Sequence, residues 1–545
     1  MQRDEKAFPI LQAEEIGAAR ECGKTEIFEM HQSLFDPGQT PMDFFVVVSG
    51  AVEIIDTSGD EDRLIVTHGP GAIIGNIHAF AGRPAMTAGR AVQRTEVIRL
   101  TLEETRLLLV RSASLGEKLV AALLRRFELL EASGLEGLRV FGNKADPAAL
   151  RLREFLSRNG LPHHWVDIAE PANSAALASL GDQPLHWPAV VWSHDVLLQN
   201  PTLSEMAVRL GLQRHVPDET FDTVIIGGGP AGLGAAVCAA SEGLRTLVLD
   251  LIGPGGQAGG SSRIENYPGF PAGLSGRDLG LRMYLQALKF GASFSVPFNV
   301  TELRCRSDGC HEVVADDGAI VKTKTIIICT GVAYRNLDVK GLAELRGSGV
   351  FHSATQVESL LCRKRPVHVI GAGNSAGQAA MYLSKFSDQV SLVVRGDDLN
   401  KSMSSYLTQR VRANPRIHVL LQCELREIEG SAALEKVHLE HTASGETSIE
   451  ESGGIFIFIG ATPCTDFLGA RIRKDEKGFL LTGVEAAATK SWPLTDRLPR
   501  ALETTCPGIF AAGDCRSRTT KRVAFAIGDG ALAVTCVHDV LGTYA

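Results

Sequence analysis

The sequence predicts a multidomain chain. A β-barrel or jelly roll with helices comes first, then a small α/β unit, then two three-layer α/β nucleotide-binding units. Three observations carry this. Residues 1–130 hold short apolar runs between glycine-rich turns, and residues 136–214 alternate strand-like with helix-like segments. Two later stretches each read as apolar strand, glycine turn, helix and second strand. A length of 545 residues suits three or four domains.

In the first unit the β-like runs are FFVVVSGAVEIID, RLIVTHG, AIIGNIHAF and TEVIRL. From Thr101 to about Ala132 the spacing turns helical, in LEETRLLLV and LGEKLVAALLRRFELL. The phrases PGQTPMDFFVVVSGAVEII and GPGAIIGNIHAFAGRPAMTAGRA make residues 1–132 resemble the cyclic-nucleotide-binding domain family. That family uses a Glu for the ribose hydroxyl and an Arg for the cyclic phosphate, and those positions hold Asn76 and Ala85 here. An anion buried without a cation is costly, and the offsets of Arg83 and Arg90 point them elsewhere. The expectation is a barrel that is structural or takes a different ligand, with cyclic nucleotide disfavoured as a partner.

The second unit reads GLRVFGN as strand, PAALRLREFLSRNG as helix and HHWVDIA as strand. SAALASLG follows as helix, WPAVVWS as strand and SEMAVRLGL as helix. Residues 136–214 thus resemble the thioredoxin/glutaredoxin-like fold, and Pro188 matches that family's cis-proline before a strand. The loop GNKADPAAL carries no cysteine where that family places its CxxC, so a spacer or docking role is expected. The linker QRHVPDET closes the unit near Thr220.

The strongest signals follow. In TVIIGGGPAGLGAAVCAASEGLRTLVLD, Gly227, Gly229 and Gly232 make GxGxxG directly after a strand and at the opening of a helix, with Pro230 and Ala231 inside the turn. Such glycines let a pyrophosphate approach the backbone, and the helix N-terminus supplies oriented amides. Asp250 ends the second strand, placed to accept hydrogen bonds from an adenosine ribose. In RPVHVIGAGNSAGQAAMYLSKFSDQVSLVVRG, Gly371, Gly373 and Ala376 make GxGxxA, with Asn374 and Ser375 at the helix start. This second unit ends its second strand in Arg395, and a cation there suits a 2′-phosphate, hence NADPH over NADH. A solvated strand-end charge is the alternative, and NADH then stays possible. Both units are Rossmann-like.

Residues 221–545 resemble the low-molecular-weight thioredoxin reductase family. GGGPAG is its flavin dinucleotide fingerprint, and GPGGQAGGSSRIENYPGF carries Gln257 and Asn266 at flavin-contact positions. IIICTG closes the first FAD segment, and PGIFAAGDC sets Gly513 and Asp514 at the ribityl chain. KRVAFAIGDGALAV puts Val523 and Ala524 at a helix start near the flavin carbonyl oxygens, and Val300 matches a position whose backbone meets the adenine. The resemblance implies FAD and NADPH as cofactors and a homodimer. It also implies an NAD(P)H unit at 336–460 inserted into an FAD domain of 221–335 and 461–545.

The stretch VFHSATQVESLL departs from the family. Ser353 and Gln356 stand where relatives carry their reactive CxxC pair, and Val357 stands at the position of the acid. Hydroxyl and amide groups cannot store two electrons. Ser353 is read as the cap of the helix TQVESLLCRK and Cys362 as a structural thiol. His352 is read as a packed or polar contact, with proton donation to an acceptor as the alternative.

Eleven cysteines are scattered singly, with no CxxC and no spacing that suits a zinc site or other metal. Cys305 and Cys310 flank a turn and are expected to face each other, reduced, across a hairpin. Cys506 and Cys515 are expected at opposite ends of a strand, too far apart to bond. A net charge of −8 argues against nucleic acid. No apolar run of membrane-spanning length is read, and MQRDEKAFPI lacks a signal peptide's apolar core, so a cytoplasmic protein is expected.

The expected activity is an FAD-dependent NAD(P)H oxidoreductase whose electrons leave for an unidentified acceptor without an internal dithiol. A flavin-based redox sensor gated by the N-terminal domain is one alternative. Thioredoxin-disulfide reduction is the other, at odds with the missing pair.

Overall fold

The structure is a computed structural model. It describes residues 4–542 apart from 58–61, 134–137, 144–145, 162, 182–183, 193–195, 211, 213–218, 262–263, 265, 307–308, 335–336, 338, 343–344, 346–348, 352–353, 355–358, 360–361 and 432.

The N-terminal barrel closes from two four-stranded antiparallel sheets. One orders Lys24–Phe28, Thr95–Leu100, Phe44–Ser49 and Ile73–Ile74, and the other Ser33–Phe35, Ala88–Ala91, Val52–Asp56 and Arg63–His68. Phe35, Phe44, Phe45 and Phe80 fill the space between them, all essentially inaccessible. The helical stretch splits into Leu102–Arg111 and Ala113–Ser133. Thr101 starts the first with a reciprocal cap, in which its Oγ1 accepts from Glu104 N and Glu104 Oε2 accepts from Thr101 N. The second helix sends the buried Arg126 into the barrel, where it donates to the carbonyls of Ala7, Gly75 and Ile73. A buried guanidinium is tolerable only with such acceptors.

The next sheet orders His164–Asp167, Leu138–Gly142, Ala189–Trp192 and Val196–Gln199, the first pair parallel and the others antiparallel. The Trp187–Pro188 bond is cis, as the resemblance implied. The fourth strand was not anticipated, because four residues are too few to show a period of two.

The flavin-fingerprint strand Thr220–Ile226 lies inside a seven-stranded sheet. Its parallel neighbours are Thr246–Leu249, followed by Ser293–Ser295, and Ile320–Ile328. The nine-residue strand Ile320–Ile328 pairs antiparallel with His311–Ala315 along its first half and parallel with Ile509–Ala511 along its last. The chain thus returns after more than a hundred residues to complete the same sheet. Between these passages stands a five-stranded parallel sheet, ordered Val350–Phe351, Gly454–Ile457, Val367–Ile370, Val390–Val394 and Ile417–Leu421. Val332–Tyr334 and Ala461–Pro463 pair where the chain passes between the two sheets.

The helix Val523–Leu541 is long and apolar enough to cross a membrane by length and composition. Here it packs along the helix Pro230–Ser241, so closely that a side chain at Gly530 would overlap the Ala231 carbonyl. Ala526, Gly530, Ala533, Val534 and Val537 are buried, whereas Phe525 and Leu532 stay exposed.

The units meet at Arg83, which is buried. Its guanidinium donates to the Asn159 carbonyl of the second unit and, at 3.1 Å, to the Tyr284 hydroxyl of the helix Gly276–Lys289. Asn159 Nδ2 in turn donates to the Ile252 carbonyl at 2.7 Å.

Candidate functional site: two dinucleotide cradles

The first cradle is built from backbone. Gly227 leaves its strand at φ +109°, where a side chain would strike the Cys329 carbonyl. Gly229 caps the helix Pro230–Ser241 with no side-chain bond, so the first-turn amides at Ala231 and Gly232 face outward, as an anion requires. Gly232 lies under this turn, and a Cβ there would overlap the Gly227 carbonyl oxygen. Asp250 does more than the sequence indicated. Its Oδ2 accepts from Gly228 N at 2.6 Å, and its Oδ1 accepts from Ile252 N and Gly253 N at 2.9 and 2.7 Å. The carboxylate therefore fixes the glycine turn, with lone-pair capacity left for a sugar hydroxyl.

Two positioning features were missed. Gly255 N donates to the Gly228 carbonyl, and a Cβ on Gly256 would lie 2.7 Å from the Gly229 Cα, so GPGG seats directly against the fingerprint turn. Its run of glycines was the available signal. Gln257 follows, its amide donating to the Val332 carbonyl. Asp529 also went unread: it accepts from Gly513 N at 3.1 Å and is clamped by Arg516. No local pattern announces that contact.

Asp514 adjoins Gly513 in a short 3₁₀ turn. Burial raises its carboxyl, with Asp529 adding to the rise and Lys521 opposing it. Val523 and Ala524 open the helix Val523–Leu541, whose start also lacks a side-chain cap, which leaves its amides free to donate. Val300 begins the strand Val300–Arg304 opposite Ala315, and Asn266 is exposed in a bend. Two uncapped helix starts over a floor that admits no side chain fit a flavin dinucleotide.

The second cradle repeats the pattern with less crowding. Gly371 has φ +141°, and Gly373 caps the helix Asn374–Leu383 without a side-chain bond. Asn374 Oδ1 accepts from Ser404 N at 2.8 Å, which fixes the turn to the following loop. Ser375 is exposed and Ala376 fully buried. Arg395 ends the strand Val390–Val394, exposed and with no carboxylate partner among the described residues. The acids beside it are engaged elsewhere, Asp397 with Lys401 and Asp398 with Arg412. A free guanidinium at this point fits a 2′-phosphate.

In the barrel, Asn76 Oδ1 caps the short helix Ile77–Phe80, accepting from His78 N and Ala79 N. Ala85 is fully buried. Arg83 is committed to the junction, and Arg90 pairs with Asp62 at 3.0 Å. Burial, with Arg83 nearby, lowers the His78 imidazole to about 3, so it is a neutral core group at ordinary pH.

His352, Ser353, Gln356 and Val357 lie outside the described residues. Cys362 is fully buried and donates to the Gly453 carbonyl at 3.3 Å, as a structural thiol does. Cys305 and Cys310 stand at the two ends of the loop between Val300–Arg304 and His311–Ala315, and none of the eleven cysteines is in a disulfide. The thiol contact of Cys305 is with Cys506, a pairing the sequence did not suggest.

Comparison with known proteins agrees with this geometry. A family profile described as pyridine nucleotide-disulphide oxidoreductase matches residues 221–530, and a cyclic nucleotide-binding domain profile matches residues 25–112. The thioredoxin reductase of Peptoclostridium acidaminophilum is 32% identical over 324 residues, 58% of this chain and 96% of that protein. That of Bacillus subtilis is 32% identical over 323 residues, 59% of this chain and 95% of that protein. The crystal structure of Lactococcus lactis thioredoxin reductase in its FR conformation aligns with a TM-score of 0.54 at 30% identity, covering 59% of this chain and all of that one. FAD and NADPH are the cofactors of this type of enzyme. The chain belongs to the pyridine nucleotide-disulphide oxidoreductase family, as a thioredoxin reductase-like flavoprotein that carries an N-terminal cyclic nucleotide-binding domain.

Proposed function

We propose that this protein is an FAD-dependent NAD(P)H oxidoreductase whose electrons pass to an acceptor outside the chain, without an internal dithiol. The carrying observation is the contrast between two complete cradles and the sulfur-free Ser353–Gln356 segment. Bound flavin supplies hydride acceptance and two-electron storage. The chain's own part is to position. Gly227–Gly232 and the start of Val523–Leu541 present amides, Asp514 and Gln257 orient, and Arg395 selects the phosphorylated nicotinamide. The proposal includes the remaining assignments made above for Asn266, Val300 and the second turn. It also includes a homodimer and a division of the chain at 1–132, 136–214, 221–335, 336–460 and 461–545.

Anaerobic titration tests it. NADPH should bleach the bound flavin stoichiometrically, and failure of both NADPH and NADH to do so overturns the reading. An acceptor screen with dioxygen, quinones, small disulfides and thioredoxin then identifies the outlet, with thioredoxin expected to be a poor substrate.

The Arg83 junction favours a second reading, a flavin-based sensor gated by the barrel. It requires negligible turnover with every acceptor together with redox-dependent binding of a partner.

A further inference from the structure

At the end of the flavin sheet opposite the glycine turns, a cavity of about 1680 Å³ opens beside Thr220, Asp222 and Gly508. Thr220 begins the strand whose far end is Ile226, and seven residues of strand span roughly 20 Å. The cavity is therefore remote from the cofactor cradles. Cys305 and Cys506 both line it, near enough for each thiol to perturb the other, and Arg471 links their surroundings. They come from the two separate passages of the chain through this sheet. Cys305 follows the strand Val300–Arg304, and Cys506 precedes Ile509–Ala511.

The two sulfurs are unequal. Contact with Cys506 lowers the Cys305 thiol against the opposing effect of burial, and Arg471 lowers it further. Contact with Cys305 and burial both push the Cys506 thiol up. One sulfur is thus disposed to attack and the other to hold its proton until a second step. Arg471 is placed by Thr505, which donates to its carbonyl at 2.5 Å, and Arg471 Nη1 donates to the Cys305 carbonyl at 3.3 Å.

The wall carries five basic side chains, Arg306, Lys324, Arg471, Arg473 and Arg497, against the acids Asp222 and Glu242. Asp222 pairs with Lys324 at 2.7 Å, Arg306 with Glu312 at 3.2 Å and Arg497 with Glu503 at 2.7 Å, while Glu242 lies 2.8 Å from the His538 imidazole. Arg471 and Arg473 have no carboxylate partner among the described residues. The cavity therefore selects negative charge beside a dithiol.

We propose that Cys305 and Cys506 form a thiol–disulfide exchange site for small disulfides that bear carboxylates. The Cys305 thiolate, its proton released to solvent, attacks one sulfur of the disulfide. A mixed disulfide forms and the first small thiolate leaves. That thiolate takes the Cys506 proton, and Cys506 attacks the Cys305 sulfur. The intramolecular bond forms, and the second small thiolate leaves to be protonated from solvent. The small disulfide is reduced to two thiols, and the cysteine pair is oxidised. The new bond staples the two passages of the flavin sheet together.

The test is peptide mapping of the full-length, flavin-loaded protein after exposure to oxidised glutathione, to neutral hydroxyethyl disulfide and to cationic cystamine. A Cys305–Cys506 linked peptide should form with oxidised glutathione about tenfold faster than with cystamine, a preference that Arg471→Ala weakens. Cys506→Ser should stop at one glutathione adduct on Cys305. Should that variant fail to fold, the wild-type map alone decides. A Cys305–Cys310 link, two unreacted thiols, or fastest reaction with cystamine overturns the proposal. No nicotinamide is added, so the result stands apart from whether the flavin accepts hydride.

Discussion

The two glycine turns share a backbone plan and differ where a ligand's identity is decided. Both leave a parallel strand through a glycine at positive φ, Gly227 and Gly371, and both open an uncapped helix. At the third small position the first has Gly232, where no methyl fits, and the second has Ala376, whose methyl is already packed. At the end of the second strand Asp250 folds back onto three amides, whereas Arg395 stays exposed. The scaffold provides a pyrophosphate cradle in both cases. The turns differ in packing by one methyl group, and in the charge at the strand end, where the proposed reading puts the choice of cofactor.

The sharpest way to break this comparison is to exchange the third positions. Gly232→Ala drives a methyl into the Gly227 carbonyl and must displace the helix from the strand. The expected outcome is protein that purifies without flavin, read from the flavin-to-protein absorbance ratio, with a loss on the order of 3 kcal/mol or more. Ala376→Gly removes a packed methyl and should cost only about 1 kcal/mol, with flavin retained and a modest rise in KM for NADPH. Equal effects at the two positions would show that the turns are not packed differently.

A smaller effect is expected at Asp250. In Asp250→Asn an amide group replaces one carboxylate oxygen and confronts either Gly228 N–H or the pair at Ile252 and Gly253. One donor side loses its acceptor, at about 1–3 kcal/mol. Flavin should dissociate more readily in dilution, measured by recovery of free-flavin fluorescence. Unchanged flavin affinity would mean that Asp250 contributes nothing through the turn it holds.

What could be read from sequence was what is encoded locally. GxGxxG and GxGxxA lie within single strand–turn–helix units, and the cis bond at Pro188 followed from the resemblance of the whole second unit to a known fold. The unread features depend on residues brought together from afar. Arg83 had a neighbour reading as a failed phosphate ligand, yet its partners Asn159 and Tyr284 belong to other units. Cys305 was paired in sequence with the nearby Cys310, while its contact is the distant Cys506. The strand Val196–Gln199 carried too short a pattern to declare itself. Sequence proximity was the wrong guide wherever a sheet closes through a late return of the chain.

Arg395 gives the finest adjustment of the comparison. Its neighbours Asp397 and Asp398 are neutralised by Lys401 and Arg412, so nothing described competes for its charge. In water-exposed surroundings one cation facing a 2′-phosphate is worth about 1 kcal/mol, because screening is strong there. Arg395→Ala should therefore raise KM for NADPH about fivefold, with KM for NADH and kcat with either nicotinamide unchanged. The NADPH effect should shrink as salt is added. If both nicotinamides weaken alike, Arg395 supports the strand end rather than reading the phosphate. If neither changes, it is a solvated charge, and the contrast with Asp250 reduces to the packing of Gly232 against that of Ala376.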